Sequence, residues 1–341
     1  MEDRTGVACR VHGTAGHLTL DRAEALNALN LPMIRHMHAA LDLWEDDDAV
    51  SVVVLDSASP RAFCAGGDIG VVHRSARSDP EQARQLWREE YRLDARLTRY
   101  PKPVVTLIDG LALGGGMGIG CHAAVRVVTE RAQLAMPEVA IGLAPDVAGT
   151  WLLTHAPGRI GTHLALTGTR VGAGDAVYCG LADHVVDSSL LRQLRADLFA
   201  GCPPAETVAK YSRPPEPTLA EHRAWIDRCY TPVDVAAIVE ELRAAAATDA
   251  LNALAAGSPT ALKVTLRALQ RASTIPAIED CLVQDYRVCS RFLAHPDLEE
   301  GIRAKIIDKD HAPRWNPARL DELSDADVER FFAPLPDDLR L

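Results

Sequence analysis

Apolar and polar positions alternate with two different periods along the first part of the chain. Val7–Val11 and His17–Leu20 show the strand pattern, and the glycines between them predict a turn at Gly13–Gly16. Across Leu31–Trp44 the apolar residues recur at helical spacing. Val50–Leu55 is an unbroken apolar run, which is typical of a strand buried on both faces. The pattern therefore predicts a mixed α/β fold.

The same alternation continues beyond the first glycine-rich loop. A polar helical stretch covers Pro80–Arg99, a buried strand covers Val104–Ile108, and a helix is predicted over 114–124. Val125–Thr129 and Gln133–Ala135 then have the pattern of a strand pair. The strands follow one another too closely for regular β-α-β crossovers, so a plain Rossmann sheet fits the pattern poorly.

The composition changes where prolines cluster at Pro203–Pro217, which marks a linker or a boundary. Beyond it the pattern is nearly all helical, most clearly at Ala236–Ala256 and Pro259–Ala272. We therefore predict an α/β region over 1–202 and a mainly helical region over 203–341.

Net charge and cysteine usage narrow the classes of function. The chain has 341 residues and a formal charge of −11, which argues against nucleic-acid and membrane-surface partners but not against an anionic ligand. No apolar stretch reaches the roughly 20 residues that span a bilayer, and no secretory signal is visible. The eight cysteines form no C-x-x-C pair, which favours reduced thiols. We expect a cytoplasmic protein.

Several common catalytic motifs are absent from the sequence. It contains no G-x-G-x-x-G, no G-x-x-x-x-G-K-[ST], no G-x-S-x-G and no H-E-x-x-H. Two glycine-rich segments remain, Ala62–Asp68 and Leu113–Gly118, and each follows a strand-like run. Glycines there leave backbone N–H groups free to donate, and two such donors would make an oxyanion hole. Taken singly, each segment is explained as well by a tight turn.

A third segment, Met136–Asp146, places the carboxyl groups of Glu138 and Asp146 in an apolar stretch. Unpaired carboxylates are costly to bury, which invites an acid/base role. A turn cap at each position explains the same spacing, so the pattern alone leaves both interpretations open.

Together these segments resemble the crotonase (enoyl-CoA hydratase/isomerase) superfamily. Asp21–Leu29 is similar to the R-x-x-A-L-N-A-L segment that lines the CoA pocket of that family. The F-C-A-G-G-D and G-G-G-M-G segments are similar to its two oxyanion loops, which implies donors at Gly67 and Gly115. The resemblance implies a crotonase-type spiral of repeated ββα units. Its helical C-terminal region would complete the acyl pocket and the subunit contacts.

Two departures from the hydratases are informative. Typical hydratases carry a catalytic glutamate at the position of Gly118 and glycine at the position of Asp146. Hydration needs two acid/base groups, so the loss of one argues against efficient hydratase chemistry. Both departures, and the R-E-E-Y match that contains Glu90, resemble the 3-hydroxyisobutyryl-CoA hydrolase branch. Ala148 stands where that branch usually has glycine.

This resemblance implies an acyl-CoA thioester hydrolase that releases CoA from 3-hydroxyisobutyryl-CoA, a step of valine breakdown. Glu138 and Asp146 would be catalytic, no metal or redox cofactor is implied, and the chain would form homo-oligomers. The alternatives are an enoyl-CoA hydratase or isomerase that uses Glu138, and an acyl-CoA-binding protein with little turnover. The expected substrate-binding residues are Glu90, Ala25, Leu26, Ala65, Gly66, Asp68 and Ile69.

Three further side chains invite a functional interpretation. Cys64 lies beside an oxyanion loop, but no histidine near it in sequence could activate it as a nucleophile. Arg22 and Lys102 are candidate phosphate contacts, although lone basic residues are mostly solvated surface.

Overall fold

The structure is a computed structural model, and it describes residues 5–341. The chain divides into two compact units, each made of several segments. The first unit contains the described residues up to 68, together with 89–134 and 171–218. The second unit contains 69–88, 135–170 and 219–341. The predicted division near residue 203 stays a prediction.

The first unit is built on two sheets. In the larger sheet the strand order is β1-β2-β3-β5-β7-β9-β10, and the smaller sheet has the order β4-β6-β8. The central strands of the larger sheet run parallel, and both edge strands pair antiparallel. The strands are β1 (Val7–His12), β2 (Ala15–Leu20), β3 (Val52–Ser57), β4 (Ala62–Cys64), β5 (Val104–Ile108), β6 (Leu111–Leu113), β7 (Val125–Val128), β8 (Gln133–Ala135), β9 (His184–Val186) and β10 (Ser212–Arg213).

Helices cover the sheet of the first unit and form most of the second unit. They are α1 (Leu31–Glu45), α2 (Ile69–Arg77), α3 (Pro80–Arg99), α4 (Gly115–Cys121), α5 (Gly149–Thr154), α6 (Ile160–Thr167), α7 (Ala173–Tyr178), α8 (Leu191–Phe199), α9 (Pro204–Tyr211), α10 (Leu219–Cys229), α11 (Val235–Ala244), α12 (Thr248–Ala256), α13 (Pro259–Ala272), α14 (Ile278–Phe292), α15 (Pro296–Ile302) and α16 (Asp325–Arg330). No helix within residues 5–341 is long and apolar enough to cross a membrane.

The core of the first unit lies where the parallel strands face α8 and α9. Val54, Val105 and Val127 alternate with residues of the opposite face and are buried against Leu194 and Leu198 of α8. Strands of this kind are apolar on both faces because both are covered, which explains the unbroken apolar runs in the sequence. The core of the second unit lies along α13, which packs on α5 and α6.

Most of the predicted elements are confirmed. The first two strands pair antiparallel, with Val7 opposite Leu20, and α3, β5 and α13 have the predicted bounds. The helix α1 begins after Asn30, whose side chain accepts the backbone N–H of Met33 at 3.0 Å.

Two predictions were wrong. The strands β7 and β8 do not pair with each other but belong to different sheets. The predicted helix over 236–256 breaks between α11 and α12, where Ala246 takes a left-handed φ of 52° without a glycine to signal it. The proline-rich stretch 203–217, predicted to mark a linker or a boundary, contains α9 and β10, because the proline at position 204 lies in the first turn, where a helix tolerates it.

Candidate active site

The side chain of Asn27 holds the first glycine-rich segment in place. Asn27 is fully buried, and its amide nitrogen donates to the carbonyl oxygens of Ala62 and Phe63 at 3.1 and 2.9 Å. Its amide oxygen accepts the backbone N–H of Arg22 at 2.8 Å. A buried amide that is bonded on both sides fixes these two stretches of chain against each other.

Backbone hydrogen bonds then position most of the predicted substrate-binding residues. The N–H of Ala65 donates to the carbonyl of Leu26 at 3.0 Å, and the N–H of Leu29 donates to the carbonyl of Gly66 at 2.7 Å. The N–H of Asp68 donates to the carbonyl of Leu29 at 2.8 Å. The structure thus brings together in the first unit Ala25, Leu26, Ala65, Gly66 and Asp68.

The two predicted oxyanion donors are neighbours in the first unit. Gly115 is the first residue of α4, where backbone N–H groups have no partner inside the helix. Within residues 5–341 neither the Gly67 N–H nor the Gly115 N–H donates to a backbone carbonyl. A Cβ atom placed on Gly115 would lie 3.2 Å from the Gly67 nitrogen. Two available donors this close have the arrangement that an oxyanion hole requires.

The carboxyl group of Glu90 borders these donors. Glu90 lies on α3 and is 1% exposed. A Cβ atom on Gly115 would overlap Glu90 Oε1, and a Cβ atom on Gly67 would lie 3.8 Å from Glu90 Oε2. Gly115 therefore leaves room for this carboxyl group, which no other residue could do. Gly118 is three residues further along the same short helix α4, just under one turn from Gly115, and is also buried.

Glu138 is a buried carboxyl group of the second unit. It begins the 3₁₀ helix Glu138–Ile141 and is 6% exposed, and its Oε2 has no hydrogen-bond partner among the described residues. Burial and the nearby charge of Asp146 raise the pKa of Glu138 well above its usual value. A carboxyl group with a raised pKa suits proton transfer near neutral pH.

Contacts from the C-terminal helices hold the segment of Glu138. The N–H of Ser258 donates to the carbonyl of Val139 at 3.0 Å. Gly142 has a left-handed φ of 72°, and a Cβ atom there would overlap the backbone oxygen of Asp297. Asp297 is fully buried and accepts the hydroxyl of Ser258 at 2.5 Å. The segment therefore has little freedom to move away from these helices.

Asp146 lies at the start of an unusual turn in the second unit. It is 6% exposed, and its carbonyl accepts the N–H of Gly149 at 2.6 Å. Val147 and Ala148 both take left-handed φ angles, 50° and 53°. Glycine adopts such angles without steric cost, so Ala148 leaves this turn more strained than glycine would.

Asp285 of α14 contacts the same turn. Its Oδ2 accepts the N–H of Ala148 at 2.8 Å, and the residue is 1% exposed. Burial and the charge of Asp146 raise the pKa of Asp285 well above its usual value. The second unit thus contains the carboxyl groups of Glu138, Asp146 and Asp285. The predicted substrate-binding residue Ile69 also belongs to this unit, where it is the first residue of α2.

The sequence did not single out three buried polar residues that hold the glycine-rich loop and the two catalytic segments in place. Asn27 was visible inside the matched A-L-N-A-L segment, but its partners were not. Asp285 lies 137 positions from Ala148, and Asp297 lies on another C-terminal helix. Only the tertiary fold brings such residues to the site, because helical periodicity marks them merely as polar positions.

The structure also places the other candidate side chains. Burial raises the pKa of Cys64 to about 12, so its thiol is a poor nucleophile. Arg22 forms an ion pair with Asp68 at 2.9 Å, and the ammonium of Lys102 donates to the carbonyl oxygens of Trp44 and Asp47 at the end of α1. These basic groups are therefore used within the first unit, and the phosphate contacts predicted for them stay predictions. Residues 5–341 contain no group of three His, Cys, Asp or Glu side chains that could hold a metal ion.

Comparison with known proteins identifies related sequences over nearly the whole chain. The enoyl-CoA hydratase/isomerase family profile matches residues 15–332. The chain is 40% identical to the mitochondrial 3-hydroxyisobutyryl-CoA hydrolase of Xenopus tropicalis, covering 96% of this chain and 89% of that protein. It is 38% identical to the protein of the same name from Homo sapiens, covering 95% and 87%. These relatives are acyl-CoA thioester hydrolases.

Solved structures with the same fold have other names. A carnitinyl-CoA dehydratase from Mycobacterium thermoresistibile is 44% identical, with a TM-score of 0.94 and 98% of both chains covered. An enoyl-CoA hydratase from Rhodobacter sphaeroides is 42% identical, with a TM-score of 0.93 and coverage of 98% and 100%. These similarities confirm the predicted fold class.

Proposed function

The chain belongs to the enoyl-CoA hydratase/isomerase family, and on that premise we propose that it hydrolyses the thioester of 3-hydroxyisobutyryl-CoA to 3-hydroxyisobutyrate and CoA. The observation that carries the proposal is the set of carboxyl groups. The second unit pairs Glu138 with Asp146, while α4 has Gly118 where hydratases carry a second glutamate. Addition of water to a double bond needs a second acid/base group at the position of Gly118, whereas attack on a thioester can proceed from the single carboxylate of Glu138.

In this mechanism the thioester carbonyl oxygen accepts hydrogen bonds from the N–H groups of Gly67 and Gly115. Negative charge builds on that oxygen as the carbonyl carbon becomes tetrahedral, so fixed donors stabilise the transition state more than the substrate. Losing one such donor typically lowers kcat about a hundredfold or more. The carboxyl group of Glu90 borders the donors and would contact the bound acyl group.

Glu138 starts the reaction in one of two ways. As a nucleophile, its carboxylate attacks the carbonyl carbon, the C–S bond breaks, and water then cleaves the resulting mixed anhydride. As a general base, it takes a proton from a water molecule that attacks directly. Both routes consume one water and yield a carboxylic acid and a free thiol. Both also require the deprotonated form of Glu138.

Asp146 would orient the 3-hydroxyl group of the substrate, or position water and protonate the departing thiolate. Its proximity explains part of the raised pKa of Glu138. A hydrogen bond to the 3-hydroxyl would also favour hydroxylated acyl groups, since a buried polar group left without its partner costs binding energy.

Thioester hydrolysis by this route needs only a carboxyl group, water and N–H donors, so the proposal includes no metal or redox cofactor. CoA is part of the substrate. From the family resemblance we propose that the reaction is a step of valine catabolism and that the chain forms homo-oligomers. From the acidic composition we propose that it binds neither nucleic acid nor membranes. Cytoplasmic location stays a prediction, while the hydrolase relatives are named as mitochondrial.

A second candidate function is hydration or dehydration of an acyl-CoA through Glu138. It is favoured by the names of the two structures that are 44% and 42% identical to this chain. Gly118 argues against hydratase activity, because glycine has no side chain that could act as the second acid/base group. A third candidate, an acyl-CoA-binding protein with little turnover, would bind the ester without either product.

The proposal is tested by measuring thiol release from a small panel of acyl-CoA esters. We expect 3-hydroxyisobutyryl-CoA to have the highest kcat/KM, followed by isobutyryl-CoA, which lacks the hydroxyl group. Binding of 3-hydroxyisobutyryl-CoA without thiol release would contradict the proposal and favour the binding protein.

A further inference from the structure

One face of α14 contacts the turn that carries Asp146. Asp285 accepts the N–H of Ala148 at 2.8 Å. Cys289 lies one helical turn further along α14, and its Sγ is 3.9 Å from Asp146 Oδ2. Residues four apart share a helix face, so a single surface of α14 meets both ends of the turn. Asp285 and Cys289 are 1% and 0% exposed, so both contacts are buried.

The turn itself is one that ordinary residues avoid. Val147 and Ala148 take consecutive φ angles of 50° and 53°, and Val147 is β-branched, for which such angles are rare. Ala148 is also the N-cap residue of α5, and it has no side chain that could cap the helix. Strained backbone of this kind persists only where its surroundings fix it.

The buried position of Asp285 is an unfavourable place for a carboxyl group. Burying it without a partner is unfavourable, and an apolar side chain of similar size would pack in the same space at lower cost. The Ala148 N–H provides the partner, and burial together with the charge of Asp146 raises the pKa of Asp285. A protonated carboxyl group still has an oxygen that accepts this N–H, so the contact does not depend on negative charge.

We propose that Asp285 is a positioning residue, which holds the left-handed turn at Val147 and Ala148 by accepting the Ala148 N–H and thereby fixes the carboxyl group of Asp146. The inference rests on the proposed function for the role of Asp146 in catalysis. Without the acceptor, the turn relaxes toward right-handed angles, and the side chain of Asp146 moves with the backbone that carries it. The predicted oxyanion donors Gly67 and Gly115 lie on other segments of the chain, in the first unit.

The test compares two substitutions at one position. Asp285→Leu removes the acceptor while keeping the same branched arrangement of heavy atoms, and we expect kcat for thiol release to fall at least thirtyfold with KM changed less than threefold. Asp285→Asn keeps an acceptor oxygen without the charge, and we expect it to retain kcat within threefold of wild type. An Asp285→Asn enzyme as impaired as Asp285→Leu would overturn the proposal, because charge rather than the acceptor would then matter.

A matched control separates positioning from general destabilisation. Gln284 is the preceding residue of α14, is 4% exposed, and bonds Arg271 and the carbonyl of Ala268 on α13. Gln284→Leu therefore removes buried hydrogen bonds from the same helix without touching the turn. With both proteins folded at the assay temperature, we expect Gln284→Leu to keep its kcat. Equal losses of kcat in the two variants would overturn the proposal.

A second substitution, at Ala148, should restore the activity that Asp285→Leu loses. Glycine takes left-handed angles without strain, so Ala148→Gly should restore kcat of Asp285→Leu at least tenfold. If Asp285→Leu alone does not fold, the double variant is expected to fold and to turn over. A double variant that is unfolded or as slow as Asp285→Leu contradicts the inference.

Thermal unfolding tests the role of Asp285 independently of the hydrolase activity. Wild-type protein that releases no thiol contradicts the function, and the inference is then tested by thermal unfolding. Ala148→Gly should raise Tm more in the Asp285→Leu background than in wild type, because the unsupported turn gains more from glycine. Equal shifts in Tm would overturn the inference without reference to activity.

Discussion

The first unit carries its candidate chemistry on the peptide backbone, whereas the second unit carries it on buried carboxyl groups. The backbone donors at Gly67 and Gly115 need space, which glycine provides. The carboxyl group of Glu138 needs the opposite, an enclosed environment that shifts its pKa. The two units should therefore be sensitive to different substitutions. An added methyl group should damage the first, and a lost or moved charge should damage the second.

The largest loss of kcat should come from a substitution of Glu138 in the second unit. Glu138→Gln keeps the shape of the side chain but can neither attack the thioester nor accept a proton. We expect kcat for thiol release to fall about a thousandfold, equivalent to about 4 kcal/mol of barrier, with acyl-CoA binding nearly unchanged. Glu240→Gln, at an exposed position of α11, is the matched control and should leave kcat as it is. Near-normal kcat in folded Glu138→Gln would show that Glu138 is not the catalytic carboxyl group.

The next largest effect should come from adding one methyl group to the first unit. Gly115→Ala would overlap Glu90 Oε1 and displace one oxyanion donor, so we expect kcat to fall about a hundredfold. Gly172→Ala is the control in the same unit, because a Cβ atom there meets only Gln133 Nε2, at 3.8 Å. If both variants keep wild-type kcat, Gly115 does not supply a donor.

A smaller effect should distinguish the two acids of the second unit. Asp146→Gly should lower kcat/KM about tenfold more for 3-hydroxyisobutyryl-CoA than for isobutyryl-CoA, if Asp146 binds the 3-hydroxyl group. Equal losses for both substrates would mean that Asp146 acts on water or on the leaving thiolate. No loss for either substrate would make Asp146 a structural turn residue.

The smallest effect is a shift in pH dependence. Burial and Asp146 raise the pKa of Glu138, and the reaction needs its deprotonated form, so kcat/KM should fall as pH drops below the raised pKa. Asp146→Asn removes one of the two causes, so the midpoint of this acidic limb should move to lower pH. A midpoint that stays in place or moves to higher pH would show that the limb does not report Glu138.

The two units also differ in how far their chemistry could be predicted from sequence. The glycines of the first unit lie in short local motifs, because close approach of a backbone is a local requirement. The environment of Glu138 is not local, since its supports include Ser258 and Asp297 from distant helices. The break at Ala246 was missed for a related reason, because an alanine in a left-handed conformation leaves no mark on the hydrophobic pattern.

The proposed hydrolase activity is tested by measuring two reactions on one preparation of the wild-type protein. The first is thiol release from 3-hydroxyisobutyryl-CoA, and the second is addition of water to crotonyl-CoA, followed by the loss of its enoyl absorbance. Because α4 has Gly118 in place of a second acid/base group, we predict that kcat/KM for thiol release exceeds kcat/KM for hydration by at least about a hundredfold, near the contribution of one general acid/base group. Hydration faster than thiol release would contradict the proposed hydrolase function and favour the hydratase alternative.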